Sequence, residues 1–114
     1  MGLLEVVFFS TQAGSEPVRD WLRELNKDDR IVIGGDLRTV QIGFPLGMPL
    51  CRPLGDGLYE VRSSLPSRRE ARVLFSHEKE GLILLHGFIK KSQKTPASEL
   101  SLARKRRTEY RSRR

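Results

Sequence analysis

The sequence predicts an α+β domain: one N-terminal strand, a two-helix hairpin, a three-stranded antiparallel meander packed on the helices, and a basic C-terminal helix. Three observations carry this. Apolar residues recur at helical spacing across residues 15–44 and a helical segment is expected after Pro96. Residues 58–90 hold three runs rich in β-branched and aromatic side chains. The links between those runs are short, which forces neighbouring strands to pair antiparallel. Helices segregated from antiparallel strands make an α+β fold rather than an alternating one.

Each element has its own reason. Residues 3–9, Leu-Leu-Glu-Val-Val-Phe-Phe, read as a mostly buried strand. Ser15 is placed to cap the first helix, with Glu16 at its positive end and Pro17 in its first turn. Val18, Trp21, Leu22 and Leu25 form its apolar face, and Asn26 is expected to close it. Asp28 or Asp29 opens a second helix whose apolar face is Ile33, Leu37, Val40 and Phe44. Gly34 and Gly35 inside that helix each cost about 1 kcal/mol relative to Ala. Residues 43–53, with Pro45, Gly47, Pro49 and Pro53, read as a loop. The meander then runs through residues 58–62, 70–76 and 81–90, with turns near Pro66 and between His77 and Glu80. In the last helix, Leu100, Ala103 and Tyr110 share one side and arginines cover much of the rest.

Composition limits the function. The chain has 114 residues, the size of one domain spanning 1–114. No apolar run approaches the roughly 20 residues of a membrane span. The N-terminus lacks the basic flank of a signal peptide. Cys51 is the sole cysteine, so no disulfide framework or thiolate metal site is expected, and it reads as a small apolar residue near a turn. The cytoplasm is the expected compartment. The net charge of +7 is unevenly spread: residues 1–85 carry 11 basic and 12 acidic side chains, whereas residues 86–114 carry 10 and 2. A basic end of this kind points to a polyanionic partner.

Candidate site residues follow from strand alternation. Period two places Arg62 on one face of its strand, Arg72 on one face of the next, and Lys90 beside His86 and Phe88 on the third. A suitable register brings these cations together, with Lys91 and Lys94 close by and Phe88 as a flat apolar surface. Cations interleaved with an aromatic ring suit single-stranded RNA, whose phosphates meet guanidinium and whose bases stack. His86 is a further acid–base candidate, since imidazole is the side chain suited to proton transfer at neutral pH. His77, in a turn beside Glu78 and Lys79, reads as surface. No Ser-His-Asp, phosphate-loop, zinc or paired-carboxylate pattern is present, and no cofactor or metal is implied.

The segments Leu58-Tyr59-Glu60-Val61-Arg62, Arg72-Val73-Leu74-Phe75 and His86-Gly87-Phe88-Ile89-Lys90-Lys91-Ser92-Gln93-Lys94-Thr95-Pro96, followed by a basic helix to Tyr110, resemble the RelE/ParE toxin superfamily. Within it they are most similar to the HigB-like, phage-derived branch. The resemblance is strongest over residues 53–110 and extends to the N-terminal half in element order. It implies the toxin of a type II toxin–antitoxin pair, neutralised by a helix-turn-helix antitoxin, that cuts mRNA in the ribosomal A site without a metal. By motif position it implies Arg62 for phosphate orientation, Arg72 for transition-state charge, Lys90 or Lys91 as base or phosphate clamp, and His86 as a second acid–base group. It further implies Lys94, Phe88, Arg104, Lys105, Arg107 and Tyr110 as contacts to mRNA or ribosomal RNA. Some RelE-type members carry the catalytic aromatic nearer the start of the last helix than Tyr110, which leaves the general acid open. Two other functions fit the same fold: a ParE-like inhibitor of gyrase, and a non-catalytic RNA- or ribosome-binding protein.

Overall fold

The computed structural model describes residues 4–91 and 93–113. Leu3 of the predicted first strand, Ser92 of the Lys-Lys motif, Arg114 of the basic end, and Met1 and Gly2 lie outside them. The chain runs β1 (Val6–Phe8), α1 (Pro17–Glu24), α2 (Lys27–Gly43), β2 (Cys51–Gly55), β3 (Leu58–Ser64), β4 (Glu70–Glu78), β5 (Gly81–Lys90) and α3 (Ala97–Ser112). The strands form one mixed sheet in the order β1-β5-β4-β3-β2. β1 lies parallel to β5, and the other neighbours are antiparallel.

The α+β class and three helices are as expected, but the arrangement differs in three respects. First, the meander has four strands. Residues 51–55, expected in a loop, form β2, with Cys51 opposite Val61 and Pro53 opposite Tyr59. Pro53 does not break the strand because β2 is an edge strand, where a missing N–H can face outward. The β2–β3 turn places Asp56 at φ 58° and Gly57 at φ 78°, the two positive values that a tight hairpin turn requires. Second, α1 packs on β5 and β1 while α2 packs on β3, so each helix docks on the sheet instead of forming a self-packed hairpin. Third, both sheet faces are covered. Val18, Leu22, Ile33, Val40, Val61, Val73 and Phe75 fill the core under α1 and α2. Phe9, Leu58, Leu74, Ile83, Leu85 and Ala103 fill a second core under α3.

Capping and polar ties fix the helices. The expected caps shift by a few residues. Leu25 ends α1, and Asn26 begins α2 by accepting the Asp29 N–H at 2.9 Å. Ser15 bonds Thr11 and does not cap α1. α2 continues through Gly34 and Gly35, both facing open space, because Ile33 and Val40 are fully buried on its other side. Ser63 Oγ donates to Asp36 at 2.6 Å, tying α2 to β3. Phe44 follows α2 and meets the rings of Tyr59, Phe75 and His77 edge-on, so His77 is a ring contact on β4, although its residue is exposed. Cys51 packs in the α1/α2 core, where burial and the nearby Glu60 charge push its thiol pKa up and keep it a neutral packing group.

Asp29 makes the tightest polar junction. Its buried carboxylate accepts from Ser67 N (3.2 Å), Ser67 Oγ (2.7 Å), Arg69 Nη2 (3.2 Å) and Asn26 Nδ2 (3.2 Å). Burial alone raises the pKa of a carboxyl, but the Ser67 and Arg69 donors outweigh it and hold Asp29 below the usual range. This junction fastens the β3–β4 turn to the start of α2.

Two predictions follow from this packing. A Cβ at Gly87 would stand 2.4 Å from Trp21 Cε3, so Gly87→Ala displaces the indole. The expected cost is about 1–3 kcal/mol, read as a lower Tm and an altered tryptophan emission. For Asp29, a depressed folded-state pKa gives stability that is present above its unfolded pKa, near 4, and is lost as pH falls through the folded value. Asp29→Asn is therefore expected to melt below wild type at pH 7, with the gap narrowing as pH falls below about 4. An equal Tm difference at both ends of a pH series of melts would show that ionised Asp29 does not contribute.

Candidate functional site

Three strands deliver side chains to one end of the sheet, on the face that carries α3. Strand register aligns Arg62 with Arg72 and Phe88, Glu60 with Leu74 and His86, and Ser64 with Glu70 and Lys90. Alternation within each strand then sets Glu60, Arg62, Glu70, Arg72 and Lys90 on a common face. β5 carries a bulge where Leu74 opposes His86 and Phe75 opposes Leu84, which sets Leu85 as the extra residue. α3 covers the far half of this face and leaves the end near Lys90 open.

A cleft of about 500 Å3 occupies that end, lined by Arg62, Glu70, Arg72, Lys90, Lys91 and Gln93. Four of the five predicted catalytic residues, Arg62, Arg72, Lys90 and Lys91, therefore meet at one site. Beneath them lies Glu60, 1% exposed. Its carboxylate is 3.7 Å from Arg72 Nε and 4.0 Å from Arg62 Nε, and it accepts from Thr95 Oγ1 at 2.5 Å. Arg72 is itself only 2% exposed; it donates to the Ala71 carbonyl at 2.8 Å and stands 3.5 Å from Glu70. Arg62 and Glu70 are more open, at 27% and 49%. The cleft is thus cationic, with a carboxylate buried below it and a second, Glu70, at its lip.

His86 belongs elsewhere. Its Nε2 is 2.9 Å from Glu99 Oε1, and Arg106 Nη1 stands 3.3 Å from its Nδ1 while also donating to the Leu85 carbonyl at 2.9 Å. A guanidinium only donates, so Nδ1 accepts and the ring proton sits on Nε2 toward Glu99. His86 links β5 to α3 and lies outside the cleft. Phe88 stacks on it at 5.5 Å and is 8% exposed, which makes it part of the α3-side core more than an open platform. His86 shares the face of Phe88 and Lys90, as alternation predicts, but lies where α3 covers that face.

The basic helix is also placed differently from the expectation of a ribosomal RNA anchor. Arg107, 5% exposed, donates to the Asp56 carboxylate at 2.9 Å and to the Asp56 carbonyl, clamping α3 to the β2–β3 turn. Arg111 binds Glu78 through Nε and Nη2 at 3.0–3.1 Å, a hydrogen-bonded pair that raises its pKa further. Arg113 lies over the Phe9 ring at 5.4 Å. Tyr110 donates to Glu80 at 2.6 Å, beside the β4–β5 turn. β5 runs from that turn to Lys90, a span of about 30 Å at 3.3 Å per residue, so Tyr110 stands at the opposite end of the sheet from the cleft. Arg104 and Lys105 are exposed on α3, and Lys94 is exposed in the connection before it.

Glu60, Glu70, Gln93 and Thr95 are members of the site that were not among the predicted site residues. The signal for Glu60 was its place two residues before Arg62, on the same strand face. Thr95 stands in the Lys-Lys motif, and its bond to Glu60 pins the β5–α3 connection against the sheet.

Residues 20–108 match the family described as phage-derived protein Gp49-like (DUF891). That range starts inside α1, ends inside α3, and contains every residue of the cleft. No curated protein matches the chain. The match covers well over half of the sequence, and the chain belongs to the phage-derived Gp49-like family.

Proposed function

We propose that this protein is the toxin of a type II toxin–antitoxin pair, of the HigB-like branch of the RelE/ParE superfamily, acting in the cytoplasm as a ribosome-dependent endoribonuclease. Its partner in this reading is a helix-turn-helix antitoxin, and its substrate is mRNA in the ribosomal A site. The observation that carries the reading is the convergence of Arg62, Arg72, Lys90 and Lys91 on one cleft with Glu70 at its lip. A protein that bound only a protein target has no need of four cations gathered in one cleft. Membership of a phage-derived family fits a mobile toxin module.

The chemistry follows from the residues. RNA carries its own nucleophile, the 2′-OH, which attacks the adjacent phosphorus. The P–O5′ bond breaks, leaving a 2′,3′-cyclic phosphate and a 5′-hydroxyl. Glu70 is the one carboxylate lining the cleft and in this scheme takes the 2′-OH proton. A lysine ammonium, Lys90 or Lys91, returns a proton to the departing O5′. Arg62 and Arg72 stabilise the charge that builds on the phosphorane oxygens, a role suited to a fork of donors that stays protonated. All the positive charge in this scheme comes from guanidinium and ammonium groups, and no cofactor is called on. His86 takes no part, because Glu99 and Arg106 already occupy both its nitrogens.

Arg72→Ala is a poor first test. It strands the buried Glu60 charge, a loss of about 3–5 kcal/mol for a broken buried pair. Glu70→Gln keeps the shape of a half-exposed side chain and removes the base. We expect it to slow mRNA cleavage about 10²–10⁴-fold with Tm little changed. Replacing Lys90 and Lys91 by Ala is expected to weaken RNA or ribosome binding and to reduce the slope of log K against log salt by about 0.7 per lost phosphate contact. Induced expression followed by mapping of mRNA 5′ ends, with and without translation, reads the first outcome. Growth arrest with no new 5′ ends in wild type would replace the nuclease reading with a binding one.

A further inference from the structure

β5 outruns its parallel neighbour. β1 pairs only with Leu82–Leu84, so beyond Leu84 the strand has β4 on one side and, among the described residues, no strand on the other. Along this open edge lies a second cleft, of about 740 Å3. Trp21 and Ile89 line it from the α1 side, and Arg69 stands near its rim. Lys90 and Lys91 line both this cleft and the cationic one, so the two are continuous around the end of β5.

Trp21 is built into this position. The six-membered part of its ring rests against the bare Cα of Gly87, where an added Cβ would come within 2.4–2.5 Å of Cε3 and Cζ3. Glycine at 87 is what lets the indole sit so close to the sheet. The ring remains only partly buried and faces the cleft. The acid in the lining, Glu99, is already bound to His86. The free chemistry of the cleft is therefore an aromatic and aliphatic floor with ammonium groups at the side where it joins the phosphate-binding cleft.

We propose that this second cleft is a nucleobase subsite. It receives the base of the nucleotide next to the scissile phosphate, stacked on Trp21, while Lys90 and Lys91 hold the backbone that crosses from one cleft to the other. The proposal deepens the nuclease reading and rests on it. An aromatic ring beside a cationic track is the usual means of gripping single-stranded RNA, since every base has a face to stack. An extended protein strand could also pair with the open edge of β5. RNA is favoured because this cleft continues the one already lined by Arg62 and Arg72, and because the residue held against the edge is an aromatic ring rather than a small apolar pocket.

Trp21 is the single tryptophan of the chain, so its emission reports on this cleft alone. A 2′-O-methyl hexaribonucleotide, which lacks the attacking hydroxyl, is expected to quench that emission, and the same oligonucleotide made abasic is not. A polyglutamate peptide serves as the protein-strand probe; a response to it without one to the hexanucleotide overturns the proposal. In 5′-end mapping, Trp21→Leu, which keeps an apolar group over Gly87, is expected to cut about 10-fold less efficiently and to lose base preference beside the cut. Trp21→Phe is expected to retain that preference. Cleavage by Trp21→Leu at the wild-type rate with an unchanged preference overturns the subsite while leaving the nuclease reading intact. Absence of any cleavage by wild type brings down the nuclease reading itself, a different result. If Trp21→Leu fails to fold, as judged by its melt, the wild-type emission titration and Trp21→Phe decide the matter.

Discussion

Glu60 is the point on which the end of the sheet depends. A carboxylate with 1% exposure has lost its water, and the loss amounts to several kcal/mol unless charge and hydrogen bonds replace it. Arg72, Arg62 and Thr95 supply that replacement from β4, β3 and the connection to α3. The same carboxylate makes it tolerable for two guanidinium groups to stand opposite each other in the β3–β4 register, an arrangement that like charges otherwise oppose. A cationic cleft is thus assembled over a buried anion. The anion fixes the direction of both arginines, and in the proposed cleavage donors held this way stabilise developing charge without reorganising.

The positive charge of the chain is spent in two ways. In α3, Arg107, Arg111 and Arg113 turn inward or along the surface to Asp56, Glu78, Glu109 and the Phe9 ring. Arg106 reaches the Leu85 carbonyl and His86. These are fastening contacts, and they account for a helix whose polar side chains dominate yet which stays on the sheet. Buried or bidentate arginine contacts resist screening better than exposed pairs do. Arg104 and Lys105 are left facing solvent. The charge that gathers at the cleft comes instead from β3, β4 and the end of β5. Net charge by segment pointed at the last quarter of the chain, whereas the cleft draws half of its cations from a stretch that is neutral on balance.

Much of this was legible in the sequence, and the parts that were not share a cause. Helical spacing located Ile33 and Val40, and alternation put Arg62, Arg72 and Lys90 on one face, because both patterns are local. β2 escaped because Pro53 reads as punctuation, and only the edge position of the strand, a property of the whole sheet, makes it acceptable. The Asp56-Gly57 dipeptide carried the opposite signal, a tight hairpin turn, within three residues of it. The inward role of Arg107 was hidden for a similar reason. Its partner Asp56 is 51 positions away, and a run of basic residues looks the same whether it faces water or an acid. His86 does share a face with Phe88 and Lys90, but it lies where α3 covers that face and Glu99 and Arg106 take its nitrogens; strand alternation carries no information on what covers a face.

The position of the site follows from unequal lengths. β5 has 10 residues and β1 has 3, so one strand continues alone past its neighbour. α3 starts at Ala97, after a connection pinned by Thr95, and runs away from that end toward the β4–β5 turn. The apolar half of the face is therefore closed by helix, and the half with Arg62, Arg72 and Lys90 is not. Had β1 run the full length of β5, its backbone would fill the edge where Trp21 and Ile89 now line a cleft. A short strand and the direction of one helix are what convert a covered sheet into one with a charged opening at a single end.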